Sequence, residues 1–274
     1  MHNANDVKWE SQVILKTDVE FSDKVKEIDA QIDALYGKWN YYDILPDVCD
    51  LLRRRSDLVA PQHLVRESIW SLSQAMIFDP MSGVNFSMRG RRYINAGEFA
   101  MACADFAMAA RLIPENWYVW YHLGLCNLIL GNYDLAEKAY NRCAQIPTTQ
   151  SLTVALLNWR WITLMRQGRK AEAEALIADV DASWDMDGTD NYLRLLLLYK
   201  GELTPEEAMT IPNDPEPILS VTTQGFGVAN YFRVKGDKEN YRKTLDRTLE
   251  VGRDEAWMCF GWAAAEYERK HLDD

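Results

Sequence analysis

Asn230 and Arg233 stand three residues apart, and Arg91 and Asn95 stand four apart. Both spacings put two polar side chains on one face of a helix. An arginine fork beside a side-chain amide suits a polar or anionic partner, because the guanidinium offers paired donors to an oxygen-rich group. Asn158, Arg166, Tyr118 and Tyr121 extend the same chemistry with further donors and flat rings that carry a polar tip. The plainer reading of this set is a solvated helix face. His122 and Cys126 are four apart, the spacing of a two-ligand metal edge. No third or fourth ligand lies near them, so a packed histidine beside a packed thiol is preferred and no metal is expected. The same two residue types serve nucleophilic catalysis elsewhere, but no flanking motif accompanies them here. His2, His63 and His271 form no cluster. The expectation is a chain with no catalytic residue and no cofactor.

Charge narrows the partners. The 274 residues are 48% hydrophobic and 26% charged, enough to bury a core without disulfides or metal. Acidic residues number 41 and basic residues 30, for a net charge of −11. Nucleic acid and anionic lipid both need a basic face, so neither is an expected partner. Two basic spots run against the trend. Arg53-Arg54-Arg55 reads as cations at a helix end, where they oppose the helix dipole. Arg89, Arg91 and Arg92 form the other. The five cysteines are odd in number and contain no CxxC, which reads as reduced thiols in a cytoplasmic protein. Asp6, Lys8 and Glu10 interrupt the N-terminus, where no leader peptide is expected. The longest aliphatic run, Leu195–Leu198, falls far short of the roughly 20 residues of a membrane span.

The elements that must position these residues are helices. Val25, Ile28, Ile32 and Leu35 recur at helical spacing, as do Leu45, Val48, Leu51 and Leu52, and then Leu64, Ile69, Leu72 and Ile77. Breaks at Gly or Pro punctuate the chain at Gly37, Pro61, Pro80, Gly97, Pro114, Gly131, Pro147, Gly168, Gly201 and Gly236. The spacing predicts helices of about 12 to 17 residues and no strands. Thr204-Pro205-Glu206-Glu207 reads as a capping box with Pro at the first helical position.

The helices repeat. Laid under one another, Gly83–Asn116 and Trp117–Gln150 align Gly90 with Gly124, Gly97 with Gly131, Phe99 with Tyr133, Ala102 with Ala136 and Phe106 with Tyr140, a period of 34 residues. A small residue where two helices cross lets the backbones approach, and a glycine ending the first helix supplies a left-handed cap. With Trp120, Leu123, Gly124, Gly131, Tyr133, Ala136 and Tyr140 in one unit, and Gly90, Tyr93, Gly97, Phe99, Ala102, Phe106, Ala109 and Pro114 in the unit before, the sequence resembles the tetratricopeptide repeat family. Asn127 and Thr148 depart from its pattern.

The resemblance implies an all-α, right-handed superhelical solenoid of helical hairpins, with first helices lining a concave face. The expected organisation is a degenerate N-terminal helical region over 1–82, then an array over 83–255. Its units are 83–116, 117–150, 154–187, an irregular 188–221 and 222–255. A capping helix over 256–274 would turn Glu266, Glu268, Arg269 and Lys270 outward. Peptide-binding members use a clamp of Lys, Asn and Arg, but the equivalent positions here hold Val84, Met88, His122, Ala155 and Trp159. Projecting the first helices gives a different groove set: Arg91, Asn95, Tyr118, Tyr121, His122, Asn158, Arg166, Phe226, Asn230 and Arg233. These residues are expected to be little buried and to point into one space. The implied function is a scaffold that holds a protein or peptide, or alternatively a polar or anionic small molecule. The rival is an enzyme or small-molecule binder in a closed groove. The Pro-rich stretch would cover such a groove, with Glu202, Glu206, Glu207, Asp214 and Glu216 at its mouth.

Overall fold

Val25, Ile28 and Ile32 share one face and are buried, and the segment carrying them is helix α1 (Asp23–Tyr36). The computed structural model describes residues 19–36, 41–186, 190–210 and 216–272. The turn expected at Gly37, the stretch holding Pro212, Asp214 and Pro215, and residues 1–18 lie outside the described residues. Helical periodicity continues as α2 (Tyr41–Val59), α3 (Val65–Phe78), α4 (Gly83–Asn95), α5 (Phe99–Leu112), α6 (Trp117–Ile129) and α7 (Tyr133–Cys143). After these come α8 (Gln150–Arg166), α9 (Lys170–Leu176), α10 (Asn191–Lys200), α11 (Pro205–Ala208), α12 (Pro217–Val234), α13 (Lys238–Gly252) and α14 (Phe260–Lys270). The fold is an all-α helical repeat, with no strand among the described residues. Helices α9, α10 and α11 are short, with 7, 10 and 4 residues.

The described residues form two compact units, 19–126 and 127–272. In the first, α2 packs on α1 and α3 around Ile28, Ile32, Val48, Leu51, Leu52 and Ala75. Helix α3 packs against both α2 and α4. Arg53-Arg54-Arg55 corrects another expectation, because α2 runs on to Val59 and the run is interior to it. Arg55 is buried and donates to Asp29 at 2.7 Å and Ser71 at 2.8 Å. The helix-dipole reading therefore gives way to tertiary pairing. In the α4–α5 hairpin a Cβ on Gly90 would stand 3.0 Å from the Phe106 ring, so glycine lets the two helices cross closely.

In the second unit, hairpins α8–α9, α10–α11 and α12–α13 follow one another. Gly97 and Gly131 after α4 and α6, and Gly168, Gly201 and Gly236 after α8, α10 and α12, all have φ between 72° and 82°. This is the left-handed region that a side chain would strain. The Thr204–Glu207 capping box forms as read, each residue bonding the other's backbone N–H. Helix α14 closes the unit. Trp262 is fully buried and donates Nε1–H to the Leu249 carbonyl at 3.0 Å. The outward polar face expected of α14 is corrected at two positions. Glu266 is 5% exposed and the Glu268 side chain 8%, so both turn toward the protein.

Candidate functional site

The first helices of two hairpins bring Arg166, at the end of α8, beside Asn230 and Arg233 on α12. Arg166 Nε and Nη2 both donate to Asn230 Oδ1, the former at 3.0 Å, and Arg166 Nη1 donates to Glu268 Oε1 at 2.7 Å. Asn230 is held in turn by its own Nδ2, which donates to the Phe226 carbonyl at 2.8 Å one helical turn back. Arg233 Nη1 and the Tyr241 hydroxyl both reach the second oxygen, Glu268 Oε2. Burial alone would raise the Glu268 carboxyl, but Arg166 and Arg233 outweigh it and hold its pKa below the usual carboxylate value. Tyr241 is pushed upward in the opposite sense, first by burial and then by the Glu268 charge, so its hydroxyl keeps its proton and remains a donor. The result is an ionised carboxylate wrapped in donors.

Arg166, Arg233, Tyr241 and Glu268 of this cluster line an open pocket of about 500 Å³ that lies within residues 127–272. The turns at Gly131 and Gly236 form two of its edges, and Tyr133, Lys238, Tyr267 and His271 stand around it. Tyr267 stacks on His271 with ring centroids 4.2 Å apart, and His271 Nδ1 lies 2.7 Å from the Tyr267 carbonyl. Tyr133 follows Gly131 at the same offset at which Lys238 follows Gly236. The repeat thus places one ring and one cation at equivalent positions of two hairpins.

The ten groove candidates do not share one environment. Arg166, Asn230 and Arg233 come together as described, and Phe226 lies beneath the Arg166 guanidinium at 5.9 Å. Asn158, Phe226 and Asn230 are fully buried, which corrects the expectation of a lightly buried face. Asn158 accepts from the Tyr199 hydroxyl at 3.0 Å, and Phe226 packs on Trp159 with centroids 5.9 Å apart. In the first unit Arg91 is exposed and Tyr118 is 54% exposed, whereas Asn95 and Tyr121 are buried. Tyr121 stacks on Trp117 at 4.6 Å. His122 lies flat on Phe106 at 5.1 Å, with Nδ1 2.6 Å from the Tyr118 carbonyl. Burial lowers its pKa to about 4, the Tyr118 carbonyl opposes that shift, and the Arg91 charge adds to it. Cys126 is fully buried beneath the same helix, and its thiol is pushed up by burial. The described residues hold no group of three or more His, Cys, Asp or Glu side chains placed to hold a metal ion.

The second basic spot dissolves as well. Arg89 makes two bonds of 2.8 Å to Asp105, and Arg92 donates to Asp57 at 2.7 Å, which leaves Arg91 as the exposed member. Two acidic residues of the 188–221 stretch do local work. Glu207 caps α11, and Glu202 pairs with Lys200 at 2.8 Å. Sequence reasoning missed Tyr133, Lys238, Tyr241, Tyr267, Glu268 and His271 as pocket residues. The matching offsets after Gly131 and Gly236 were a usable signal for Tyr133 and Lys238. Glu268 and its neighbours on α14 had none, because α14 follows the last full repeat and its facing depends on how it docks.

A family model described as tetratricopeptide repeat matches residues 87–148. No curated protein matches the chain. Among solved structures, the crystal structure of MamA protein is 18% identical, with a TM-score of 0.46, and the match covers 69% of this chain and 91% of that one. The structure of YrrB, described as a TPR protein with an unusual peptide-binding site, is 15% identical, with a TM-score of 0.43, over 76% of this chain and 88% of that one. Residues 87–148, which run from within α4 to just past α7 with a left-handed glycine after each first helix, are thus the part of the chain that is similar to the tetratricopeptide repeat.

Proposed function

We propose that this chain is a protein- or peptide-binding scaffold and that the pocket around Arg233, Lys238 and Glu268 is part of its binding face. One observation carries the reading: Arg166 and Arg233, drawn from the first helices of two hairpins, converge with Tyr241 and Glu268 on one open pocket, with Asn230 buried behind Arg166. Helical hairpins suit such work because stacking them presents side chains from several repeats without a change of backbone. In the first unit, Arg91 and Tyr118 are the exposed members of the candidate set. The five cysteines are free thiols, which supports a reducing compartment, the cytoplasm. No helix among the described residues is long and apolar enough to cross a membrane.

The enzyme reading asks for a deep pocket with a carboxylate of raised pKa. Arg166 and Arg233 hold the Glu268 carboxyl below its usual range, the direction opposite to the one a general acid needs. The scaffold reading is tested by affinity capture from native lysate with the full chain and with the double variant Tyr133→Ala, Lys238→Glu, quantified by mass spectrometry. The expected outcome is a protein or peptide retained by the parent and lost by the variant. If the captured proteins are the same for both, and are lost instead on changing Met101 and Met108, exposed on the second helix α5, the binding face lies there and this reading ends.

A further inference from the structure

We propose that the pocket takes an oxyanion carried by a peptide, a carboxylate or a phosphate, with Arg233 and Lys238 as its principal donors. This rests on the scaffold reading above and adds the chemistry of the ligand. The two arginines of the pocket are not equivalent. Arg166 commits Nε and Nη2 to Asn230 and Nη1 to Glu268, and its side chain is only 4% exposed. Arg233 commits only Nη1, to Glu268 and Tyr241, and its side chain is 38% exposed. Its Nε and Nη2 have no partner among the described residues. Lys238 Nζ also has none. Of the two carboxylates that flank it in sequence, Asp237 caps α13, where it accepts from Asn240 N at 3.1 Å and Asn240 Nδ2 at 2.7 Å, and Glu239 accepts from Lys243 Nζ at 2.6 Å.

Among the described residues, three cations therefore line the pocket against one carboxylate, a charge of +2 from these residues in a chain whose net charge is −11. Glu268 shows that this donor geometry accepts a carboxylate, since it already receives bonds from Arg166, Arg233 and Tyr241. Donors of the same kind remain on the open side. A second oxyanion placed there would satisfy Arg233 and Lys238 together, in charge-assisted bonds about twice as strong as neutral ones. Tyr133 and Tyr267 supply walls for the carbon chain that carries it, and about 500 Å³ is within the range of sites that enclose a small ligand or the end of a peptide.

The test uses the full ¹⁵N-labelled chain and three peptides of one sequence that differ at a single central position, Glu, phosphoserine or Gln. The Glu or the phosphoserine peptide should move the amide resonances of Gly236, Lys238 and His271, and the Gln peptide should bind about tenfold more weakly. The tighter of the two anionic peptides identifies the source of the oxyanion. Lys238→Gln should weaken the preferred peptide about fivefold with an unchanged melting temperature. Lys243→Gln, whose Nζ pairs with Glu239, should leave it unchanged. Equal binding of the Gln peptide overturns the anion preference while the scaffold reading stands. Failure of both anionic peptides to move those resonances also overturns the proposal, and the capture experiment then decides the scaffold reading separately.

Discussion

Replacing Glu268 by Gln would leave two guanidinium groups facing a neutral amide, one of them almost wholly buried. Breaking a buried pair by removing one partner typically costs 3–5 kcal/mol, so E268Q should lose about 3 kcal/mol or more in a urea melt. A loss below about 1 kcal/mol would show that solvent already screens the cluster. Acid acts on two side chains in the same direction. His122 has a folded pKa of about 4 against an ordinary 6.5. Between those values the unfolded chain binds more protons, so His122 destabilises the fold as pH falls through that window, by up to about 3 kcal/mol at its foot. Glu268 is held below its ordinary 4.5, so its contribution is present above that value and is lost as pH falls further. The stability of H122Q, measured by urea melts at pH 7 and pH 4.5, should fall less than that of the parent. An identical slope would show that His122 stays accessible to protons when folded. At Gly90, a leucine would press on Phe106, at a typical overpacking cost of about 1–3 kcal/mol. A thermal melt of G90L that matches the parent would mean the crossing is looser than the 3.0 Å contact indicates.

At the scale of the helix, α14 is the element whose docking completes the second unit. A Cβ on Gly261 would meet the Thr222 carbonyl oxygen at 2.6 Å, so α14 seats directly on the backbone of α12. Backbone cannot swing aside as a side-chain end can, and G261A should destabilise by about 1–3 kcal/mol although it adds one methyl. Deleting 256–274 would uncover the faces that Trp257 and Trp262 now seal and would remove Glu268 from its two arginines. Size-exclusion chromatography should show that truncated chain aggregated. A monomeric product with the parent's melting point would deny α14 its covering role. The helices themselves were legible in the sequence. Val25, Ile28 and Ile32 gave α1, and the Thr204 box gave α11, because periodicity and capping are local chemistry. Arg53–Arg55 was misread because only tertiary packing shows that α2 continues past it and that Asp29 and Ser71 claim Arg55.

For the molecule as a whole, charge and acid response converge. The sequence pI is about 4.9, so the −11 of neutral pH vanishes inside the window where His122 weakens the fold. Loss of net charge removes the repulsion that keeps chains apart. Static light scattering across pH 7 to 4 should rise sharply near pH 5. H122Q should scatter less than the parent at the same pH. Equal scattering would assign the effect to charge alone.

The 34-residue period, the left-handed turns at Gly97, Gly131, Gly168, Gly201 and Gly236, and the close crossing at Gly90 were determined by the sequence, since each is a local demand that only certain residues meet. The repeat frame also singled out Arg166, Asn230 and Arg233, because recurring offsets on first helices recur in space. What the frame could not decide was depth. Asn158, Phe226 and Asn230 stand on those helices beside Arg233, yet they are buried while Arg233 remains open. Burial depends on what packs above a residue, and here that includes α12 and α14, which follow α8 by many tens of residues. Glu268 is the sharpest case. A carboxylate on a terminal helix reads as solvated, and its role as the anchor of two arginines exists only once α14 is seated on α12, where the neighbouring cations offset the desolvation that would otherwise turn it outward.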